Sequence, residues 1–196
     1  EQRYAGLVNS ADGIILEVDD AYRITFVSQQ AERILGYPVE QWLDDPMFWI
    51  NHLHPDDLGA LTYCQDMTKQ GLNHEFEYRM FASDGRIVWI RDSVSVMRDE
   101  DGRIKLSCIL LDVTKHKEMV DRLRLTQYAV DHASDQIFVI GPDGAFLDVN
   151  ESACRRLGYT KDELLTMSVM DIDPDFPAEA WDSFWAEFAK TKRIQL

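Results

Sequence analysis

The chain has 196 residues, 45% apolar and 28% charged, a composition suited to a globular protein of one or two domains. Its formal net charge of −15 argues against a nucleic-acid backbone or an anionic bilayer as partner, since both must be met by clustered Lys and Arg. There is no run of about 18 apolar residues and no basic segment leading into an apolar core, so no membrane contact is expected from this stretch, and the expected location is the cytoplasm. Cys64, Cys108 and Cys154 are few, odd in number and widely spaced, which suits reduced thiols better than a disulfide framework.

In chain order, Ile14–Val18 is β-branched and apolar and predicts a strand. Ile24–Val27 predicts its hairpin partner. Ser28 is placed to cap a helix over about Gln29–Leu35, which Gly36 ends in the left-handed geometry that glycine takes without strain. Tyr37 then folds the chain back on the helix. His54-Pro55-Asp56-Asp57 predicts a second helix start, with proline in the first turn and two carboxylates complementing the dipole. After Gly71 the pattern changes to period two. His74, Phe76, Tyr78 and Met80 alternate with Glu75, Glu77 and Arg79, giving one inner and one wet face. Turns at Ser83-Asp84-Gly85 and Asp99-Glu100-Asp101-Gly102 lead into strands over Arg86–Met97 and Arg103–Asp112.

Lys115–His132 then reads as a connecting helix. Thr114 is placed to cap it, and Met119, Leu123, Thr126 and Val130 form a short heptad-like seam. That seam either packs on its own domain or pairs with a second copy in a homodimer.

The pattern then begins again. Laying Val8–Tyr37 over Val130–Tyr159 needs no gap, and nine of the 30 positions are identical, Leu35-Gly36-Tyr37 over Leu157-Gly158-Tyr159 among them. A duplication of this length is a repeated domain. The second unit predicts strands at Gln136–Ile140 and Ala145–Val149, a cap at Asn150 and a contact from Tyr159. Its later helix starts near Asp175-Phe176-Pro177 and carries Trp181, Phe184, Trp185 and Phe188 on one face. Two strands, helices, then three antiparallel strands define an α+β domain with a single five-stranded sheet.

This order resembles the PAS domain. The residues that carry the likeness are Gly36-Tyr37 and Gly158-Tyr159, and Phe48-Trp49 ahead of His54-Pro55-Asp56-Asp57. They continue through Glu77-Tyr78-Arg79, Ser83-Asp84-Gly85 with Trp89, and Asp112-Val113-Thr114, which looks like the ending of the PAC half. The resemblance implies a PAS fold in two copies, a five-stranded antiparallel sheet with helices on one face. The expected division is a first PAS/PAC domain over residues 1–114, a signalling helix over 115–132, and the N-terminal half of a second PAS domain over 133–196. The expected remainder of the sheet, three of five strands, would lie beyond this stretch, or this half would depend on a partner. Trp181 and Trp185 would have little to pack on without it.

The resemblance also implies sensory signal transduction. A small molecule or partner would act on a cavity lined by Trp42, Phe48, Trp49, Leu53, Phe76, Tyr78, Trp89 and Cys108; the alternative is that these side chains fill the core. The relay would run through Asp112, Val113 and Thr114 to an output domain of histidine kinase or diguanylate cyclase type. Without a ligand, the domain would serve dimerisation alone.

The cofactor stays open. A photosensor of the light-oxygen-voltage kind would need an Asn-Cys-Arg-Phe motif, and Gly36–Leu43 has no cysteine. Redox PAS domains resemble Trp-x-Gly with Asn-Arg-Arg-Lys, where this chain has Asn73-His74-Glu75-Phe76-Glu77-Tyr78-Arg79. Haem would need an axial ligand, commonly a His in the second helix, and Leu58–Gln70 has none. Flavin and haem are thus both unsupported by motif. His52 and His54 beside Asp56 and Asp57 are explained by the helix start, so no metal is expected. No G-x-S-x-G, G-x-x-x-x-G-K or H-E-x-x-H occurs, and the fragment is not expected to be an enzyme. Cys108 is either a small buried hydrophobe or an oxidation-sensitive thiol.

Overall fold

The computed structural model describes residues 13–99, 101–173, 180–181 and 183–186. It divides into two compact units, residues 1–119 and 120–196.

The first unit is built on one antiparallel sheet of five strands in the order β2-β1-β5-β4-β3. The strands are β1 (Ile14–Val18), β2 (Ile24–Val27), β3 (His74–Phe81), β4 (Ile87–Arg98) and β5 (Ile104–Asp112). The helices between β2 and β3 are α1 (Gln30–Leu35), α2 (Val39–Asp44), α3 (Phe48–His52) and α4 (Gly59–Lys69). The period-two reading of β3 holds: His74, Tyr78 and Met80 are buried, while Glu75 is exposed. Val88, Ile90, Asp92 and Val94 on β4, and Leu106, Cys108 and Leu110 on β5, face the same core. Pairing of Tyr78 with Ile90 and of Val94 with Cys108 keeps these positions in register across the sheet.

His54-Pro55-Asp56-Asp57 does not open the long helix directly. Pro55–Asp57 form a separate 3-10 turn, and α4 starts at Gly59. The segment lies along β3, the edge strand. The His54 amide donates to the Arg79 carbonyl at 2.8 Å, and the Arg79 amide donates to Asp57 Oδ2 at 2.8 Å. Both backbone groups on the open side of Arg79 are thereby covered, one of the ways proteins protect a sheet edge.

In the second unit, β6 (Phe138–Ile140) and β7 (Phe146–Val149) form a hairpin followed by α6 (Glu151–Leu157), α7 (Lys161–Leu164) and α8 (Val169–Ile172); α5 (Thr114–Asp131) precedes it. The duplication extends to detail. Leu16 pairs with Val27 as Phe138 pairs with Val149, and the register shifts between Glu17 and Val18 as it does between Val139 and Ile140. Gly36 and Gly158 end α1 and α6 at φ 77° and 80°. A Cβ at Gly36 would collide with Ser83 Oγ, whereas at Gly158 it would meet nothing within 4 Å.

Asn150 caps α6 as expected, accepting from the Ala153 amide at 3.0 Å, but Ser28 does not cap α1. Each side chain accepts an equivalent amide at 3.0 Å, Ile15 of β1 for Ser28 and Ile137, just ahead of β6, for Asn150. In α1 the preceding cap position belongs to Gln29, and the Ser28 hydroxyl serves this strand latch. The Asn150 amide group also donates to the Val130 and Asp135 carbonyls at 2.9 Å, which suits its complete burial.

Tyr37 folds back as predicted, its hydroxyl donating to the Phe81 carbonyl at 3.1 Å, whereas Tyr159 is exposed. Trp181 has more to pack on than the sequence implied. It is 4% exposed, and its indole N–H donates to the Pro142 carbonyl at 2.7 Å in the β6–β7 turn. The predicted start at Asp175-Phe176-Pro177 and the position of Phe188 lie outside the described residues.

Candidate functional site: a cavity on the inner face of the first sheet

Helices α2, α3 and α4 stand over the inner sheet face and leave a cavity of about 330 Å³. That volume is at the lower end of small-molecule pockets. Leu16 and Val18 of β1, Val94 of β4 and Leu106 and Leu110 of β5 give it an apolar floor. Four of the eight residues assigned to the cavity from sequence line it: Trp42, Trp49, Tyr78 and Cys108.

The other four are placed elsewhere. Phe48 is buried and stacks on Trp42 at 4.3 Å, so it supports the wall from behind. Leu53 is buried and forms an isolated bridge to Met80. Phe76 is half-buried and contributes to a shallow depression with Asp56, Asp57 and Tyr63. Trp89 lies on the outer sheet face, because residues of odd number on β4 point away from Val88, Ile90 and Val94. There it carries the Lys117 ammonium 5.1 Å and the Arg79 guanidinium 5.3 Å from its ring centroid.

Sequence reasoning missed Asp92, the one acidic residue among the described residues that line the cavity. It is 5% exposed, and the Tyr78 hydroxyl donates to its Oδ2 at 3.0 Å. Among the described residues its Oδ1 has no hydrogen-bond partner. Burial pushes the carboxyl up to about 7, against which the Tyr78 hydrogen bond acts as a lesser, lowering influence. Burial, with Asp92 as a neighbour, also raises Cys64 to about 11 and holds Cys108 well above its ordinary value. Both thiols stay protonated and are poor nucleophiles. Thus the structure favours the small buried hydrophobe for Cys108. The signal for Asp92 was its parity: Val88, Ile90, Val94 and Val96 share its face in a strict alternation.

The three residues assigned to the relay meet at the start of α5. Asp112 Oδ1 accepts the Thr114 amide at 2.9 Å. The Thr114 hydroxyl does not cap the helix; it accepts the Trp89 amide at 2.9 Å, while the Val113 amide donates to the Trp89 carbonyl. Lys117, one turn along, pairs with Glu77 at 2.5 Å, and Arg91 holds the same carboxylate at 2.9 Å. The first turn of α5 is therefore tied to β3 and β4 on the outer face.

A cavity beneath a five-stranded antiparallel sheet of order β2-β1-β5-β4-β3, with the last strand running into a helix, defines a sensory domain of the PAS class. Sequence profiles agree: one described as PAS fold matches residues 24–110, and one described as PAS domain matches residues 124–192. The chain belongs to the PAS domain family, carries two copies, and is a sensory signal-transduction module rather than a catalytic fold. It is 27% identical over 141 residues, 66% of this chain, to a methyl sulfide methyltransferase-associated sensor of Methanosarcina acetivorans. It is 22% identical over 190 residues, 87% of this chain, to the oxygen sensor protein DosP of Escherichia coli. The alignments span 14% and 23% of the length of those two relatives. Among solved structures, the N-terminal domain of a diguanylate cyclase with PAS/PAC sensor from Marinobacter aquaeolei matches with a TM-score of 0.50 at 29% identity, covering 54% of this chain and 98% of that one. A sensory box histidine kinase/response regulator from Burkholderia thailandensis matches at 0.54 and 20% identity, covering 67% and 99%, a likeness of fold.

Proposed function

We propose that residues 1–114 form the sensing domain, that a small molecule occupies its inner cavity, and that α5 relays the change toward an output domain of histidine kinase or diguanylate cyclase type. The module works in the cytoplasm in this reading, which the acidic surface and unpaired cysteines support. One observation carries it. Strand β5 supplies Leu106, Cys108 and Leu110 to the cavity wall, and two residues later its Asp112 holds the first amide of α5. A ligand that displaces β5 cannot leave the helix start unmoved, and it shifts the balance only so far as it binds the two states differently.

The test is hydrogen exchange at residues 114–119 after the cavity is filled by Cys108→Phe. We expect changed protection there, and we expect Asp112→Lys to abolish that response while shifting stability by only about 1 kcal/mol. Unchanged exchange in a folded Cys108→Phe protein rejects the relay.

Dimerisation through α5 is the second part of the proposal. No residue of this helix is buried, and Met119 and Leu123, one turn apart on the predicted seam, are 64% and 65% exposed. An exposed apolar pair continued by Thr126 and Val130 at heptad-like spacing suits a helical seam with a second copy. Sedimentation equilibrium is expected to show a dimer for the native chain and at least a tenfold weaker one, by the roughly 1.4 kcal/mol that this factor requires, for Leu123→Glu. Equal association of both proteins overturns the seam.

A further inference from the structure

The cavity has a chemical asymmetry. Its walls are apolar and aromatic, with Tyr22, Trp42, Trp49 and Tyr78 among them, and its described lining holds one carboxylate, Asp92. None of the described lining residues is Lys, Arg or His. Tyr78 satisfies Asp92 Oδ2, while Oδ1 is buried and unpartnered. A carboxylate kept in such surroundings works against the fold unless something completes it. An anionic ligand does not: a phosphate, a haem propionate or a fatty-acid carboxylate would face Asp92 with no cation among those residues to offset the repulsion. A cation does, because it pairs with the free oxygen and is attracted to the aromatic faces. The net charge of −15 also raises the local concentration of cations.

We propose that this cavity takes a small organic cation, a protonated amine on an apolar or aromatic body, with its N–H groups directed to Asp92 Oδ1. The proposal rests on the reading of the cavity as a ligand site and adds the ligand's chemical class. At 330 Å³ the cavity holds the liquid volume of about ten waters, which limits the ligand to a compact body of one or two rings.

Calorimetric titration of the purified chain at pH 8 tests it, with phenethylamine, 2-phenylethanol and phenylacetate as probes of one shape and three charges. Butylamine and tryptamine bracket the size. An amine is expected to bind about tenfold or more tightly than the alcohol, the factor associated with a charge-assisted hydrogen bond, and phenylacetate more weakly than both. Asp92→Asn should remove the amine's advantage and leave the alcohol's affinity unchanged.

Lowering the pH through about 7 protonates Asp92 and should weaken amine binding, while the amine itself stays charged. The other titratable groups facing Asp92 are Tyr78, Cys64 and Cys108, all raised and neutral over this range. If Asp92→Asn does not fold, this pH dependence in the native chain decides. Equal binding of amine and alcohol, or preference for phenylacetate, overturns the cation while the cavity remains a ligand site. Failure of all five probes overturns both readings.

Discussion

Asp92→Asn is expected to stabilise the first unit at pH 8, by about 1–3 kcal/mol, although it deletes the charge of a hydrogen-bonded residue. The native carboxyl is raised from an ordinary value of 3.8 to about 7 by burial. Between roughly pH 4 and 7 the unfolded chain has released a proton that the native chain still holds, so stability falls as pH rises and levels off above the native value. The shift of about three units sets a ceiling of roughly 4 kcal/mol, and the desolvated amide of Asn takes back part of it. Asp57 and Glu77, whose carboxyls are held low by Arg79 and by Lys117, contribute with the opposite sign, but equally in both proteins. The difference between the two pH profiles therefore isolates Asp92. Urea midpoints read from β3–β5 peptides by exchange pulses at one labelling pH should converge near pH 4 and diverge toward pH 8. A variant less stable than the native chain at pH 8 would show that the carboxylate supports the fold.

Such a gain in stability would also explain why the site is hard to read from sequence. The strands are legible because their signal is repetitive: β3 and β4 alternate over eight and twelve residues. The duplicated hairpins are legible for a different reason, since two copies of one pattern vouch for each other. By contrast, α2 and α3 have six and five residues, less than two full turns, and neither has a side-chain cap. Their position over the sheet comes from burial of Trp42 and Phe48, a tertiary effect that no local period announces. Trp89 illustrates the opposite failure. Its residue type suggested a pocket wall, while its parity put it opposite Ile90. Parity decides, because a strand cannot turn one side chain through the sheet. The same rule applied to Asp92 would have placed its carboxyl group in the cavity. Residue type says what a side chain can do, and period says where it does it; the second should be read first.

The other large effect is expected at Asp57, where Asp57→Ala should destabilise the first unit by about 3 kcal/mol. In sequence this carboxylate reads as one of two that favour a helix start. In the fold the two separate. Asp56 has a 73% exposed side chain, and its nearest oxygen is 3.6 Å from Arg79. Asp57, 18% exposed, accepts from the Arg79 backbone amide at 2.8 Å, from Nε at 2.8 Å and from Nη2 at 2.7 Å. Removing it takes the acceptor from the edge-strand amide and leaves the guanidinium to the Trp89 face and the distant Asp56 oxygen, a loss at the upper end of that for hydrogen bonds to a charged group. Asp56→Ala, the control, should stay within about 0.5 kcal/mol. Arg79 holds the Asp57 carboxyl below its ordinary value, so its contribution is present above about pH 4 and is lost as the pH falls through the depressed native value. The gap between the native chain and Asp57→Ala should therefore close in acid, as the Asp92 gap does, but here with the native chain as the more stable protein. Amide exchange at Arg79 should accelerate in the Asp57 variant alone. If both Asp variants lose the same small amount, the pair is an ordinary helix start, and β3 is protected at its edge by the backbone bond from His54 rather than by Asp57.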